Sequence, residues 1–221
     1  MMSSHDRRHA RGLLTLARFL AKLKHVKRTG WLDRGIPEAD VESVADHSLG
    51  VALLAWACAV ERRELGAPLD PARVAVLAMV HDLPEAETGD APPYDPSAIP
   101  PPADQTQRRA FLERRHVRDD ERQQAKRDAE DAAMRRLLAA LPENVHAELQ
   151  SLWDKLRRGE SAEARFVKQI DRLETFLQSR VYHEQFPDAP MASFAQEVLE
   201  TIDDPLLTAI RDEALKLQGP Q

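Results

Sequence analysis

Apolar residues recur three and four positions apart along most of the chain, which predicts a protein built from α-helices. The first predicted helix runs from about Asp6 to Val26, with arginine and lysine between its leucines. A second runs from about Glu38 to Leu65. The 221 residues include only 8 glycines, and the β-branched residues are scattered, so a sheet is disfavoured and the predicted fold class is all-α.

The third predicted helix begins at Asp70 and Pro71, because an acid suits the cap position and proline suits the first helical turn. Its apolar positions end abruptly at His81 and Asp82. Pro84 disfavours the helical conformation at the residue before it, so the helix is predicted to end here. Two polar side chains that bind metals well therefore lie at the end of an apolar helix, where burial without partners would cost several kcal/mol.

Residues 90–102 contain six prolines, which prevent an α-helix in this stretch. The stretch is either a stiff wall of a pocket or a plain linker. A long helical segment is predicted from Ala103 to Ala140, and its acidic and basic residues are balanced up to Asp131. Such balance is typical of a solvated helix with i,i+4 ion pairs. We expect it to project from the body without a chemical role, while its apolar end from Met134 returns to the core.

The last third of the chain predicts further amphipathic helices. Gly159 is a stop signal for one of them, and Ser161 is a start signal for the next. In the helix that begins at Ser161, apolar residues repeat at spacings of four, three and four, and Asp171 borders that apolar stripe. Two closing helices follow, the second of which begins at Asp204 and Pro205.

Composition favours one domain over residues 1–221, since all-α domains of this length are ordinary. A net charge of −6 and a pI near 5.8 disfavour a nucleic acid polymer or an anionic membrane as a partner. The single cysteine, Cys58, excludes a disulfide framework and fits a reducing compartment. The basic first residues are not followed by an uninterrupted apolar segment, and no stretch approaches a membrane span. We therefore expect a cytoplasmic protein.

Four residues with metal-binding side chains fall on apolar helix faces or at helix ends: His47, His81, Asp82 and Asp171. Each alone has an ordinary explanation, because a core histidine usually bonds to a neighbour and an aspartate usually pairs with a nearby base. Together they supply two imidazoles and two carboxylates from three helices. This set suits a hexacoordinate divalent metal that keeps positions for water and a substrate oxygen, and a hydrogen-bond network is the alternative.

A cationic turn lies between the first two predicted helices and carries Lys27, Arg28 and Trp31. One interpretation is a solvated loop with Trp31 as a surface plug. The other is a corner that binds an anion through Arg28 and stacks a ring on Trp31.

The order of the two histidines and two aspartates resembles that of the HD-domain metal-dependent phosphohydrolases. The finer resemblance is to the short 5′-deoxynucleotidases of that class. It is carried by the stretches LKHVKRTGW, ESVADHSLGVALLA, LAMVHDLPEAETGDAPP, LPENVHAELQSLW and SAEARFVKQIDRLETFLQ. These stretches cover most of the chain from Leu23 to about Tyr182. The resemblance implies an HD-domain helical bundle with a metal site between its helices.

The resemblance also implies roles for individual residues. Its metal ligands would be His47, His81, Asp82 and Asp171, and a second ion would be held by Glu85 and Asp90. Catalysis would involve Glu85 and Asp90, which act on the attacking water and the leaving group, together with Arg28, which orients the phosphate. The substrate would be contacted by Arg28, Trp31, Asp82, Asp90, Ala91, Pro92, Pro93 and Asp171.

The same resemblance implies a divalent cation, Mn²⁺, Co²⁺ or Mg²⁺, a small nucleotide as substrate and a homodimer. One departure is an insertion at about residues 94–135, longer than the family suggests. Two other interpretations stay open: an HD enzyme that acts on cyclic nucleotides or nucleoside triphosphates, and a non-catalytic metal-binding helical module. Glu85 argues against the module, because a structural metal needs no acid beyond its ligands.

Overall fold

The computed structural model describes residues 4–217, and it confirms the all-α prediction. Within those residues it contains eleven α-helices, a short 3-10 turn at Pro96–Ala98 and no β-strand. The helices are α1 Ser4–Leu23, α2 Thr29–Asp33, α3 Val44–Glu64, α4 Pro71–Val80, α5 Glu85–Thr88, α6 Gln105–Leu112, α7 Asp120–Ala140, α8 Glu143–Arg158, α9 Ala162–Gln185, α10 Ala192–Thr201 and α11 Pro205–Lys216. The ends of the predicted domain, residues 1–3 and 218–221, lie outside the described residues.

Helices α3, α4 and α9 form the centre of the fold and pack directly against one another. Each begins at a side-chain cap: Ser43 for α3, Asp70 for α4 and Ser161 for α9. Caps of this kind satisfy amide groups that have no partner inside the helix and stabilise it by about 1 kcal/mol. The core that joins the three helices is fully apolar and includes Val51, Ala55, Leu77, Ile170 and Leu173. Three rigid helices therefore meet along one buried seam.

Cys58 lies in the same core, on α3, and is only 5% exposed. Burial raises the pKa of its thiol to about 11, because the thiolate is disfavoured away from water. The cysteine is therefore a small apolar core residue.

Near the N-terminus one predicted helix boundary is wrong, and one helix was not predicted. The second helix was predicted to begin at about Glu38. In the structure it begins at Val44, because Ser43 and Asp46 form a reciprocal capping box there. The residues before it form turns, and Glu38 is not helical. The cationic turn contains a helix that the periodicity did not predict, α2, whose five residues are too few to show a repeat.

The expectation that no stretch approaches a membrane span is also wrong on length and composition. Helix α3 has 21 residues and a mean hydropathy of 1.3 over its most apolar window, enough to cross a membrane by those two criteria alone. Its apolar character has a structural cause, because α3 packs against both α4 and α9 and must supply apolar side chains to each.

The inserted segment differs most from expectation. The predicted single helix is divided into α6 and α7 by residues 113–119. Helix α7 does not project from the body, because it contacts α1, α5 and α8. Its apolar end returns to the core as predicted, with Met134, Leu137 and Leu138 each 1% exposed. Its charged half faces α8 as well, since Trp153 donates a hydrogen bond of 2.8 Å to Asp131. Helix α7 is thus part of the protein body.

Candidate active site

The central helices bring the four predicted ligands together. Nε2 of His47, from α3, lies 3.1 Å from Oδ1 of Asp171 and 3.7 Å from Oδ2 of Asp82. Nε2 of His81 lies 3.2 Å from Oδ2 of Asp82 and 3.8 Å from Oδ1 of Asp171. His81 and Asp82 directly follow the end of α4, so both can face the same point. Two nitrogens and two carboxylate oxygens therefore surround one small space.

The other nitrogen of each ring is held by a fixed partner. Nδ1 of His47 is 2.6 Å from Oε2 of Glu174, and Nδ1 of His81 donates to the carbonyl of Ala78 over 2.6 Å. Such bonds fix the ring orientation and leave Nε2 as the atom that carries a lone pair. Nε2 of His81 is buried and has no hydrogen-bond partner among residues 4–217. This orphaned nitrogen faces both carboxylates and is what a metal ligand requires.

The charges of the cluster also fit a cation. Burial acts to lower the pKa of His47, but hydrogen bonds with Asp171 and Glu174 outweigh it and raise the pKa to about 9. Burial would raise the pKa of Asp171, yet its hydrogen bond to His47 and the charges of His81 and His47 hold that pKa well below its usual range. Without a metal, the imidazole and carboxylate groups of the cluster therefore share protons. A divalent cation binds such a set by displacing the protons, so the residues present fit a metal.

Glu85 stands beside this cluster at the start of α5 and is only 2% exposed. Its Oε1 is 3.1 Å from Nζ of Lys126, and within the described part of the chain its Oε2 has no hydrogen-bond partner. Burial, reinforced by the charge of Asp82, raises the pKa of Glu85 to about 8, although Lys126 opposes the shift. A carboxyl group with a pKa near neutrality is suited to accept and release a proton.

Arg28 provides the cation nearest to the cluster. Its Nη1 is 3.6 Å from Oδ2 of Asp82 and 3.8 Å from Oδ1 of Asp90, and Nη2 donates to Thr175 over 3.2 Å. Burial acts to lower the pKa of Arg28, but Asp90 and Asp82 raise it further, so the guanidinium stays charged. Asp90 is itself anchored, because its Oδ2 accepts a 2.6 Å hydrogen bond from the amide of Thr29.

These residues line one cleft of about 230 Å³. Every residue predicted to contact the substrate belongs to its lining: Arg28, Trp31, Asp82, Asp90, Ala91, Pro92, Pro93 and Asp171. Glu85 also lines the cleft, whereas His47 and His81 are not part of its lining. Of the two interpretations of the proline-rich stretch, a wall of a pocket is the one that the geometry favours for residues 91–93.

Trp31 is not the surface plug of the simpler interpretation, because it is 1% exposed. Its ring centroid lies 5.0 Å from that of Tyr182 and 4.6 Å from that of Phe194. Its Nε1 donates to Oε1 of Glu42 over 2.8 Å. Protein rings therefore pack against much of the indole, and only a small part of it is left to form the cleft wall.

Five residues of the cleft lining come from the segment that was expected to have no chemistry: Arg114, Arg115, His116, Arg118 and Lys126. Lys126 of α7 pairs with Glu85, and Arg118 donates to the carbonyls of Ala91 and Pro92. No local signal marks either residue, because both sit in a run of alternating charges. Glu174 was also missed, although its position three residues after Asp171 places it on the same helix face.

The chain is similar to proteins of known family. The HD domain family matches residues 20–207. The 5′-deoxynucleotidase HDDC2 of Bos taurus is 36% identical over 177 residues, which are 80% of this chain and 71% of the relative. The human 5′-deoxynucleotidase HDDC2 is 35% identical over 79% of this chain and 70% of its own length. A 5′-deoxynucleotidase of Vibrio cholerae is 44% identical, but over only 33% of this chain and 36% of the relative.

Solved structures share the fold. A predicted metal-dependent phosphohydrolase from Magnetospirillum magnetotacticum superposes with a TM-score of 0.63 at 22% identity, covering 98% of this chain and 97% of that one. A conserved hypothetical protein from Pyrococcus furiosus gives a TM-score of 0.64 at 24% identity over 92% and 99% of the two chains. At such identities the likeness concerns the arrangement of helices alone.

Proposed function

The chain belongs to the HD domain family, and from that premise we propose that it is a metal-dependent 5′-deoxynucleotidase. It hydrolyses deoxynucleoside 5′-monophosphates to deoxynucleosides and inorganic phosphate, as the names of its relatives indicate for them. The observation that carries the proposal is the meeting of four metal-binding side chains beside a partly buried arginine, Arg28, and a buried acid, Glu85. A phosphate ester needs all three: a cation site, a guanidinium and a group that takes a proton.

His47, His81, Asp82 and Asp171 would hold a divalent cation, for which we propose Mn²⁺, Co²⁺ or Mg²⁺. When bound, such a cation polarises the phosphoryl oxygen and lowers the pKa of water. The protein's own part begins with Arg28, which binds the phosphate oxygens. Asp82, Asp90 and Thr175 fix its guanidinium in advance, so little freedom is lost when the substrate binds.

Two acidic residues, Glu85 and Asp90, transfer the protons of the reaction. Water forms a new bond to phosphorus while the bond from phosphorus to the 5′-oxygen breaks. Glu85 accepts the proton that the water loses, through the oxygen Oε2 that has no protein partner. Asp90, a carboxylate beside Arg28, takes a proton from solvent and passes it to the leaving 5′-oxygen, so that a neutral deoxynucleoside departs. General acid and base groups typically contribute about 10²–10⁴-fold each to such a reaction.

Preference for the deoxy sugar would come from the wall formed by Trp31 and residues 91–93. A tight apolar wall excludes a 2′-hydroxyl but gains nothing when the hydroxyl is missing. Such walls discriminate by about 10²-fold, so we expect a marked but incomplete preference for deoxynucleoside monophosphates over ribonucleoside ones.

A phosphatase screen over nucleoside mono-, di- and triphosphates, with Mg²⁺, Mn²⁺ and Co²⁺ supplied in turn, tests this function. We expect phosphate release from deoxynucleoside monophosphates in the presence of at least one of the three metals. Equal rates with AMP and dAMP, or a preference for triphosphates, would keep the metal chemistry and contradict the deoxynucleotidase assignment.

We also propose that the protein is a homodimer. The face of α3 that points away from the core carries Leu49, Leu53 and Trp56, whose side chains are 59%, 60% and 50% exposed. They are spaced four and three residues apart and form one stripe, which a second copy of the chain would cover. Sedimentation should give a mass near twice 24.9 kDa. A single species at the monomer mass at micromolar concentrations would refute the dimer.

A further inference from the structure

Helix α7 of the insertion reaches the site through one side chain. Nζ of Lys126 lies 3.1 Å from Oε1 of Glu85 and 3.2 Å from Oε1 of Glu130, one turn further along α7. Glu85 is almost completely buried, so the direction of its carboxylate depends on the few groups that touch it. Lys126 holds one carboxylate oxygen, and the other is left without a partner beside the metal-binding cluster.

Lys126 is itself held in place by an ion pair with Glu130, which is bound in turn by Arg157 of α8. Glu130, which binds its ammonium, accepts from Nη1 of Arg157 on α8 over 3.3 Å. Arg157 also pairs with Asp131 over 3.1 Å and lies over the ring of Trp153, 5.4 Å from the ring centroid. A lysine on a flexible stem usually has several orientations. Here Arg157 of α8 holds Glu130, and Glu130 restricts Lys126 to the orientation that meets Glu85.

We propose that Lys126 is a positioning residue of the hydrolytic site, which holds Oε1 of Glu85 so that Oε2 points at the reacting water. This inference rests on the proposed function and deepens it, since it assigns a task to the insertion. Lys126 does not take part in proton transfer. Its contribution is the direction of the acid, and an error of about 1 Å in such a group can reduce the rate by about 10²-fold.

The same two helices provide a matched control. Arg136 of α7 donates to Glu87 of α5 over 2.7 Å, so it joins α7 to α5 as Lys126 does. Glu87 is exposed and does not line the cleft. Removing Arg136 therefore weakens the attachment of α7 without altering Glu85. A purely structural role of the two ion pairs predicts the same effect for both changes.

The experiment compares Lys126→Met, Lys126→Arg and Arg136→Met with the wild-type protein at saturating metal. We expect Lys126→Met to lower kcat for a deoxynucleoside monophosphate by about 10²-fold, with KM and metal content unchanged. Lys126→Arg should recover part of kcat, because it restores a cation at the same place. Arg136→Met should keep the wild-type kcat. Melting temperatures of all variants report on the fold.

Equal kcat values in Lys126→Met and Arg136→Met would overturn the inference, and so would a loss of metal in Lys126→Met. If the wild type hydrolyses no nucleotide, the proposed function fails, but the positioning role can still be decided. Crystal structures of the two methionine variants would then show a turned Glu85 carboxylate in Lys126→Met alone if the inference holds. An unmoved Glu85 in that variant would refute it.

Discussion

The cleft has two walls that are built in different ways. One wall is the metal-binding frame, defined as the cluster on α3, α4 and α9, in which rigid helices with an apolar seam present His47, His81, Asp82 and Asp171. The other is the inserted wall, defined as the parts of residues 113–140 that reach the site, and it acts through the long side chains of Arg118 and Lys126.

The comparison shows how a site can combine rigidity with adjustment. Backbone positions in the frame are fixed by apolar packing, so its four ligands meet with little freedom. The inserted wall depends on single ion pairs and hydrogen bonds, whose geometry changes with one substitution. We therefore expect substitutions in the frame to abolish metal binding. Substitutions in the inserted wall should change the rate of hydrolysis and the preference between substrates.

The largest effect should come from the frame. Asp82→Ala or Asp171→Ala removes a carboxylate from the proposed ligand set, and we expect each to abolish both bound metal and hydrolysis. Metal analysis of the purified variants, together with phosphate release, measures this. A variant that retains full metal content would remove that residue from the ligand set.

Glu85 lies between the two walls, and its replacement should separate catalysis from binding. Glu85→Gln keeps the size of the side chain but cannot accept the proton, so kcat should fall by about 10²–10⁴-fold. Metal content and melting temperature should remain near those of the wild type. An unaltered rate would show that Glu85 belongs to the scaffold only.

A smaller effect is expected behind the frame, at Gly50. A Cβ atom at this position would lie 2.5 Å from Oε1 of Glu174, the residue that orients His47. Gly50→Ala should therefore displace Glu174 and weaken metal binding by about 10–100-fold, the usual range for groups that orient a ligand. Calorimetric titration with metal measures it. Glu61→Ala, on the exposed surface of α3 and outside the stripe of Leu49, Leu53 and Trp56, should leave metal affinity unchanged.

The smallest effect should come from the inserted wall at Arg118, whose guanidinium holds the carbonyls of Ala91 and Pro92. Arg118→Gln should loosen residues 91–93 and reduce the ratio of deoxy to ribo turnover. The loss of such hydrogen bonds corresponds to about 1 kcal/mol, or about fivefold in the ratio. Arg127→Gln, exposed on α7, is the control. The same change of ratio in both variants would contradict a specific role.

The metal-binding frame was the predictable part of the molecule. Its helices carry strong local signals, such as the Asp70 and Ser161 caps, and its polar residues stand out because they interrupt apolar faces. His47, His81, Asp82 and Asp171 were brought together by that reasoning and by resemblance, and the structure places them within contact of one another. Local sequence and long-range packing agree there.

The inserted wall was not predictable, for a physical reason. Lys126 pairs with Glu85 across 41 residues of sequence, and many acids and bases nearby offer equivalent pairs within the helix. Helical periodicity cannot distinguish a cation that faces water from one that faces a distant carboxylate. The division of the segment into α6 and α7 was missed as well, because that part of the chain has few apolar residues to mark a boundary.

Cys58 lies in the core formed by α3, α4 and α9, and its reaction rate with a thiol reagent can be used to measure how often that core opens. A thiol reagent reacts with the thiolate, and the pKa of about 11 together with burial keeps Cys58 unreactive in the closed fold. Alkylation of Cys58 then proceeds only during transient opening of α3, which also carries His47. A metal that binds only the closed form at about 100 times its Kd stabilises it by about 2.7 kcal/mol, so it slows alkylation about 100-fold. The rate of Cys58 alkylation therefore reports metal binding, and the measurement needs no substrate.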